Sequence, residues 1–137
     1  MKPSLGPGAS HTNCIAVGRE RTIGFMGEEA RTYATPSMIL DIEHTCRELI
    51  LEHANAGEDS VGMEVAVKHL APTLMGMTVE ITVQVASVEG RKIVFDVAVT
   101  DELDTVGTGT HTRFVVEKAK TLERLKAKAA RFAAQKA

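Results

Sequence analysis

There is no tryptophan in this 137-residue chain, and aromatic residues make up only 4% of it. A core built from it must be aliphatic, and base stacking on aromatic platforms has little to work with. An excess of one charge is missing too: 16 Lys and Arg face 18 Asp and Glu, a formal net charge of −2. No global attraction for nucleic acid follows from that balance. The two cysteines, Cys14 and Cys46, form no CxxC or CxH spacing. They suggest neither a disulfide framework nor zinc, and a reducing cytoplasm is the expected compartment. The first residues contain no apolar stretch of a secretory signal. No apolar run approaches the roughly 18 residues that span a bilayer, so a membrane is not an expected partner.

What is present is ordinary globular composition, 44% hydrophobic and 25% charged, at a length that fits one domain. Residues 1–12, rich in Pro, Gly and Ser, read as a flexible lead-in. Asn13 to Ile23 reads as a bent edge strand and Gly24 to Tyr33 as a loop. A helix start follows: Thr35 can cap, and Pro36 suits a first-turn position where its missing N–H costs nothing. From Ser37 to Ala54 the apolar residues Met38, Ile39, Ile42, Cys46, Leu49 and Ile50 share one arc of a helical wheel. Asp41, Thr45, Glu48 and Glu52 lie opposite or beside it, and Asn55-Ala56-Gly57 ends the helix.

Everything after that reads as strand. Val61, Met63, Val65, Val67 and His69 share one face by strict alternation. Val79, Ile81, Val83 and Val85 do the same, as do Ile93, Phe95, Val97 and Val99. The last strand, Thr105 to Val116, carries Gly107 and Gly109, so one face of it lies close to another backbone or a ligand. Residues 117–137 read as a basic helix with a thin apolar stripe of Leu122, Leu125, Ala129 and Phe132, expected to pack on the domain. The order predicts an α+β fold of one long helix against an antiparallel sheet of about five strands, followed by a C-terminal helix. The exposed edges of such a sheet predict pairing with a second copy.

Few residues can carry chemistry. Glu43 lies eight positions after Thr35, about 12 Å along a helix axis. It borders the apolar arc, where a carboxylate is either a partly desolvated base or the partner of Arg47 one turn on. His69 is either half of an acid–base pair or a hydrogen-bonded core histidine. His53, near the helix end, suits a capping role, and His111 shares a face with Gly107, Gly109 and Arg113, where it can border a ligand. Cys46 on the apolar arc reads as core filler. No His, Cys, Asp or Glu grouping has ligand spacing, so no metal and no cofactor is expected.

Taken together, Ala34-Thr35-Pro36-Ser37-Met38, Glu43, Val67-Lys68-His69-Leu70-Ala71-Pro72-Thr73, Gly76, Val88-Glu89-Gly90-Arg91 and Gly107-Thr108-Gly109-Thr110-His111-Thr112-Arg113 resemble the hotdog-fold thioesterases related to fluoroacetyl-CoA thioesterase. The resemblance spans residues 13–116. It implies a hotdog domain, acting as a homodimer or a dimer of dimers, that hydrolyses acyl-CoA. It places the family's catalytic Thr, Glu and His on Thr35, Glu43 and His69. Its substrate-contacting Gly and Arg fall on Gly62 and Arg113, with Arg113 meeting a CoA phosphate or positioning the acyl-pantetheine arm. Aromatic gate residues precede the family's Thr; here that stretch is Met26 to Thr32, without an aromatic until Tyr33. A short or medium acyl-CoA is therefore the expected substrate. The alternative is a non-catalytic acyl-CoA or small-ligand binding protein. A hydratase on this fold needs an Asp and a His a few residues apart, which are not found.

Overall fold

The computed structural model describes residues 1–136 of the chain; Ala137, the last residue of the predicted tail, lies outside them. A five-stranded antiparallel sheet runs in the order β1 (Ser10–Ala16), β5 (Thr78–Glu89), β6 (Lys92–Thr100), β7 (Thr105–Glu117) and β4 (Glu58–His69). The long helix α1 (Thr35–Glu52) packs on its inner face. The short strands β2 (Thr22–Ile23) and β3 (Thr32–Tyr33) form a separate ribbon, and α2 (Lys118–Gln135) follows the sheet. The α+β architecture of one helix against five strands, with a C-terminal helix, is the one predicted.

The core is aliphatic, as the scarcity of aromatics requires. Met38, Ile42, Cys46, Leu49 and Ile50 of α1 meet Val79, Ile81, Val83 and Val85 of β5 and Ile93, Phe95, Val97 and Val99 of β6, all buried. Each fully buried aliphatic side chain contributes about 1.5–3 kcal/mol of transfer free energy. Tight turns link these strands: Gly90 takes a positive φ of 60° between β5 and β6. The Asp101 carboxylate accepts from the amides of Leu103 and Asp104 between β6 and β7.

Several local expectations are corrected. The bent edge strand ends at Ala16; the chain then passes through a 3₁₀ turn at Arg19–Arg21 into β2, which pairs with β3 inside the segment read as a loop. Thr35 is the first helical residue rather than the cap, which is Ala34. Asp41 and Thr45, read as lying opposite or beside the apolar arc, are buried. The Tyr33 hydroxyl donates to Asp41 Oδ2 at 2.5 Å, Arg21 Nε donates to the same carboxylate, and Thr45 accepts from Asn13. Partners from β1, β3 and the 3₁₀ turn make burial of these polar groups affordable, and they are invisible on a wheel drawn for the helix alone. The lead-in is tied down: Leu5 is buried, and Gly8 and Ala9 exchange backbone hydrogen bonds with Val85.

Strand β4 departs most from expectation. Its register against β7 shifts between Gly62 and Glu64, leaving Met63 as an extra residue. Such a bulge reverses which side chains face inward. Gly62 pairs with Arg113, and Val65, Val67 and His69 pair with His111, Gly109 and Gly107. Val61 and Met63 therefore face outward while Val65, Val67 and His69 face α1, so the five residues do not share one face. The β4 edge has no strand beyond it and exposes Val61, Met63 and Val65. At the other end of the chain, α2 buries none of its described residues, and Leu122, Leu125 and Phe132 stay more than half exposed. The predicted packing of that stripe on the domain is not seen, because nothing among the described residues covers it.

Candidate functional site

The start of α1 and the end of β4 place Thr35 beside His69. Thr35 Oγ1 and His69 Nδ1 are 2.7 Å apart and share a hydrogen bond. Tyr33 stands edge-on to the imidazole, ring centroids 6.3 Å apart, with its hydroxyl anchored on Asp41. Burial pushes the His69 pKa down, so the ring is neutral at pH 7. His69 Nε2 is buried without a hydrogen-bond partner, which leaves Nδ1 as the ring nitrogen in contact with the threonine hydroxyl. Pro36 has no N–H, and the amides of Tyr33, Ala34 and Met38 are used by Thr73, Arg21 and Ala34 carbonyls. This helix start opens onto a cleft of about 510 Å³. Its walls are mostly apolar: Ile23, Phe25, Tyr33, Pro36, Leu70 and Pro72.

A second group lies two turns along α1. Glu43 faces Gly62, so closely that a Cβ there would sit 2.9 Å from Glu43 Oε1, 3.4 Å from His111 Cε1 and 3.6 Å from Arg113 Nη1. The glycine thus leaves room for a carboxylate, an imidazole edge and a guanidinium to converge on one spot. Arg113 is buried, donating from Nε to Ser60 Oγ and from Nη2 to the Ser60 carbonyl, each at 2.8 Å. Desolvation lowers its pKa and the nearby Glu43 charge raises it. Arg47 does not pair with Glu43; it holds Asp59 through two hydrogen bonds of 2.9 and 2.8 Å. Cys46, beneath Glu43, is core as read from the wheel, its thiol pushed up to about 12 by burial. His53 caps the C-terminus of α1 and shares a hydrogen bond with Ser4.

The five residues singled out by the sequence therefore form two clusters in one protomer. Thr35 and His69 make one; Glu43, Gly62 and Arg113 make the other. Eight helical residues, about 12 Å, separate Thr35 from Glu43, and six ladder steps of β4, about 20 Å, separate His69 from Gly62. Phe25 and Ser60 were not anticipated. Phe25 lies one position before the stretch from Met26 to Thr32; Ser60 carries no signal in the sequence, because its role depends on pairing with β7. Among the described residues no group of His, Cys, Asp and Glu could hold a metal ion, and no helix is long and apolar enough to cross a membrane.

Comparison with known proteins gives a consistent result. Residues 17–119 match the family model described as fluoroacetyl-CoA-specific thioesterase, FlK. The fluoroacetyl-CoA thioesterase of Streptantibioticus cattleyicolor is 31% identical over 135 residues, covering 93% of this chain and 94% of that protein. A Thermus thermophilus thioesterase superfamily member superposes with a TM-score of 0.90 at 29% identity, over 98% of this chain and 99% of that one. A single-substitution variant of FlK superposes with a TM-score of 0.85 at 29% identity, over 93% and 99%.

Proposed function

This chain belongs to the fluoroacetyl-CoA-specific thioesterase family and is a hotdog thioester hydrolase, and from that membership we propose that it hydrolyses short or medium acyl-CoA thioesters at a site shared between two copies. The observation that carries the proposal is the β4 edge. It is unpaired, partly apolar, and has Gly62 under Glu43 near one end and His69 on Thr35 at the other. A second copy pairing antiparallel about a two-fold on Ala66 sets Val65 opposite the partner's Val67. Opposed residues of an antiparallel pair point to the same face. The bulge at Met63 then brings Gly62 opposite the partner's His69, both facing inward. Strands about 4.8 Å apart bring Glu43 of one copy to the Thr35–His69 pair of the other.

The chemistry follows from the groups so assembled. Glu43 takes a proton from the water that attacks the thioester carbonyl, or attacks it directly to form an acyl–Glu43 anhydride that water then cleaves, releasing the acid and restoring the carboxylate. The oxyanion is met by the Thr35 hydroxyl and the backbone N–H groups at the start of α1, where the helix dipole favours negative charge. The carbon–sulfur bond breaks, CoA leaves as a thiolate that accepts a proton, and His69 moves protons through Nδ1. Arg113 is too buried to meet the phosphates of CoA, which favours a role at the thioester end, beside Glu43. The apolar walls suit a hydrocarbon acyl chain. Phe25 stands in the cleft wall although Met26 to Thr32 carries no aromatic, and selectivity for a fluorinated acetyl group is not part of the proposal.

The test is thiol release from a panel of acyl-CoAs from two to about ten carbons, with Glu43→Gln and His69→Ala as controls. The proposal expects turnover of at least one chain length and loss of at least about a hundredfold in each variant. Saturable CoA binding without thiol release would leave only a binding protein.

A further inference from the structure

His111 is a titratable side chain of the Glu43 cluster that the chemistry above does not use, and it is 1% exposed. Its Nδ1 lies 2.8 Å from the Glu64 carbonyl. A carbonyl only accepts, so Nδ1 carries the proton and Nε2 presents a lone pair. That lone pair faces Arg113 Nη1 at 3.3 Å. The neutral ring is also the only form compatible with the guanidinium: an imidazolium there would set two cations side by side. The bond to Glu64 lies at the register shift that aims Gly62 at Glu43. One imidazole thus ties the β4 bulge to the buried guanidinium. Arg113 then has Ser60 on Nε and Nη2 and His111 on Nη1, leaving N–H groups free toward the space over Gly62.

We infer that His111 is a positioning residue for thioester hydrolysis, a fixed neutral acceptor that orients Arg113 beside Glu43 and locks the bulge beneath it. It takes no proton during the reaction and does not touch substrate. The charged groups around the Arg113–His111 pair are Glu43 and Arg47 of α1 and Asp59 of β4, with the Cys46 thiol below. None of them is hydrogen-bonded to Arg113, so its orientation falls to Ser60 and His111. The inference rests on the reading of Glu43 and Arg113 given above.

The test compares His111→Leu, which keeps volume and removes both hydrogen bonds, with His111→Gln, whose amide can donate and accept. It adds Arg113→Lys and the double variant His111→Leu/Arg113→Lys, with thermal unfolding of each. The expected result is a kcat/KM loss of roughly tenfold or more for His111→Leu, carried mainly by kcat, with most of it restored in His111→Gln. The double variant is expected to be no slower than Arg113→Lys alone, because both substitutions remove the same orientation. Equal losses in the Leu and Gln variants, or losses that multiply in the double variant, would overturn the inference. Glu43→Gln run in parallel separates the two levels. Full activity there removes the underlying reading, whereas an inactive Glu43→Gln beside a fully active His111→Leu removes only the role of His111.

Discussion

Replacing Gly62 with alanine tests the placement of Glu43 with little disturbance elsewhere. Gly62 is not among the glycines with positive φ, so the backbone accepts a Cβ. The new methyl would meet His111 Cε1 at 3.4 Å and Arg113 Nη1 at 3.6 Å, ordinary contacts, but Glu43 Oε1 at 2.9 Å. The carboxylate must therefore retreat by about 0.5 Å to reach a comfortable separation of 3.4 Å. Because it ends a flexible side chain, that movement is cheap for folding, and stability is expected to change by less than about 1 kcal/mol. Catalysis is less forgiving. A displacement near 1 Å costs on the order of a hundredfold in rate, so half of it corresponds to roughly tenfold. Steady-state thiol release should show kcat/KM lowered about tenfold, while the unfolding midpoint stays within about 4 °C. A folded Gly62→Ala variant with wild-type kcat/KM would refute the reasoning, since Glu43 would then not need its position over Gly62.

Gly109→Ala is expected to do the reverse. Its Cβ would lie 2.1 Å from the Ala66 carbonyl oxygen, a backbone atom that cannot swing away. A loss of about 3 kcal/mol in denaturant unfolding follows. Acid should weaken the fold before the carboxylates titrate. Burial lowers the pKa of both His69 and His111 below 6.5, so the unfolded chain binds more protons there and stability falls as pH drops through that value. Unfolding midpoints between pH about 7 and about 5.5 should decrease, and a flat profile would contradict this. Leu125→Lys, on the exposed stripe of α2, is expected to leave stability within about 0.5 kcal/mol.

How far the sequence reveals the molecule depends on how local each determinant is. The body of α1 is legible because a 3.6-residue period and Pro36 are properties of one segment, and β5 and β6 are legible because each alternates without interruption. The phase of β4 is not, because one bulged residue reverses it; an isolated glycine inside a strand pattern was the available sign, at Gly62. The burial of Asp41 and Thr45 is not legible on the helical wheel, because Tyr33 and Asn13, which satisfy them, come from other elements. The exposed stripe of α2 shows the opposite failure, since an amphipathic pattern says that a face could be buried and not that anything covers it. At the site, residue types alone left Glu43 and His69 open between catalytic and structural roles. The resemblance to a family named them with Thr35, and the structure divides them between two clusters that a single chain does not join.

Mixing two inactive variants tests that division most directly. In the proposed dimer, Glu43→Gln and His69→Ala homodimers would each lack one group at both sites. If Glu43 of one copy works with His69 of the other, a mixed dimer has one doubly damaged site and one intact site. Random exchange makes about half of the dimers mixed, so the mixture should recover about one quarter of wild-type thiol release. A mixture that exchanges subunits yet stays as inactive as its components would contradict the shared site.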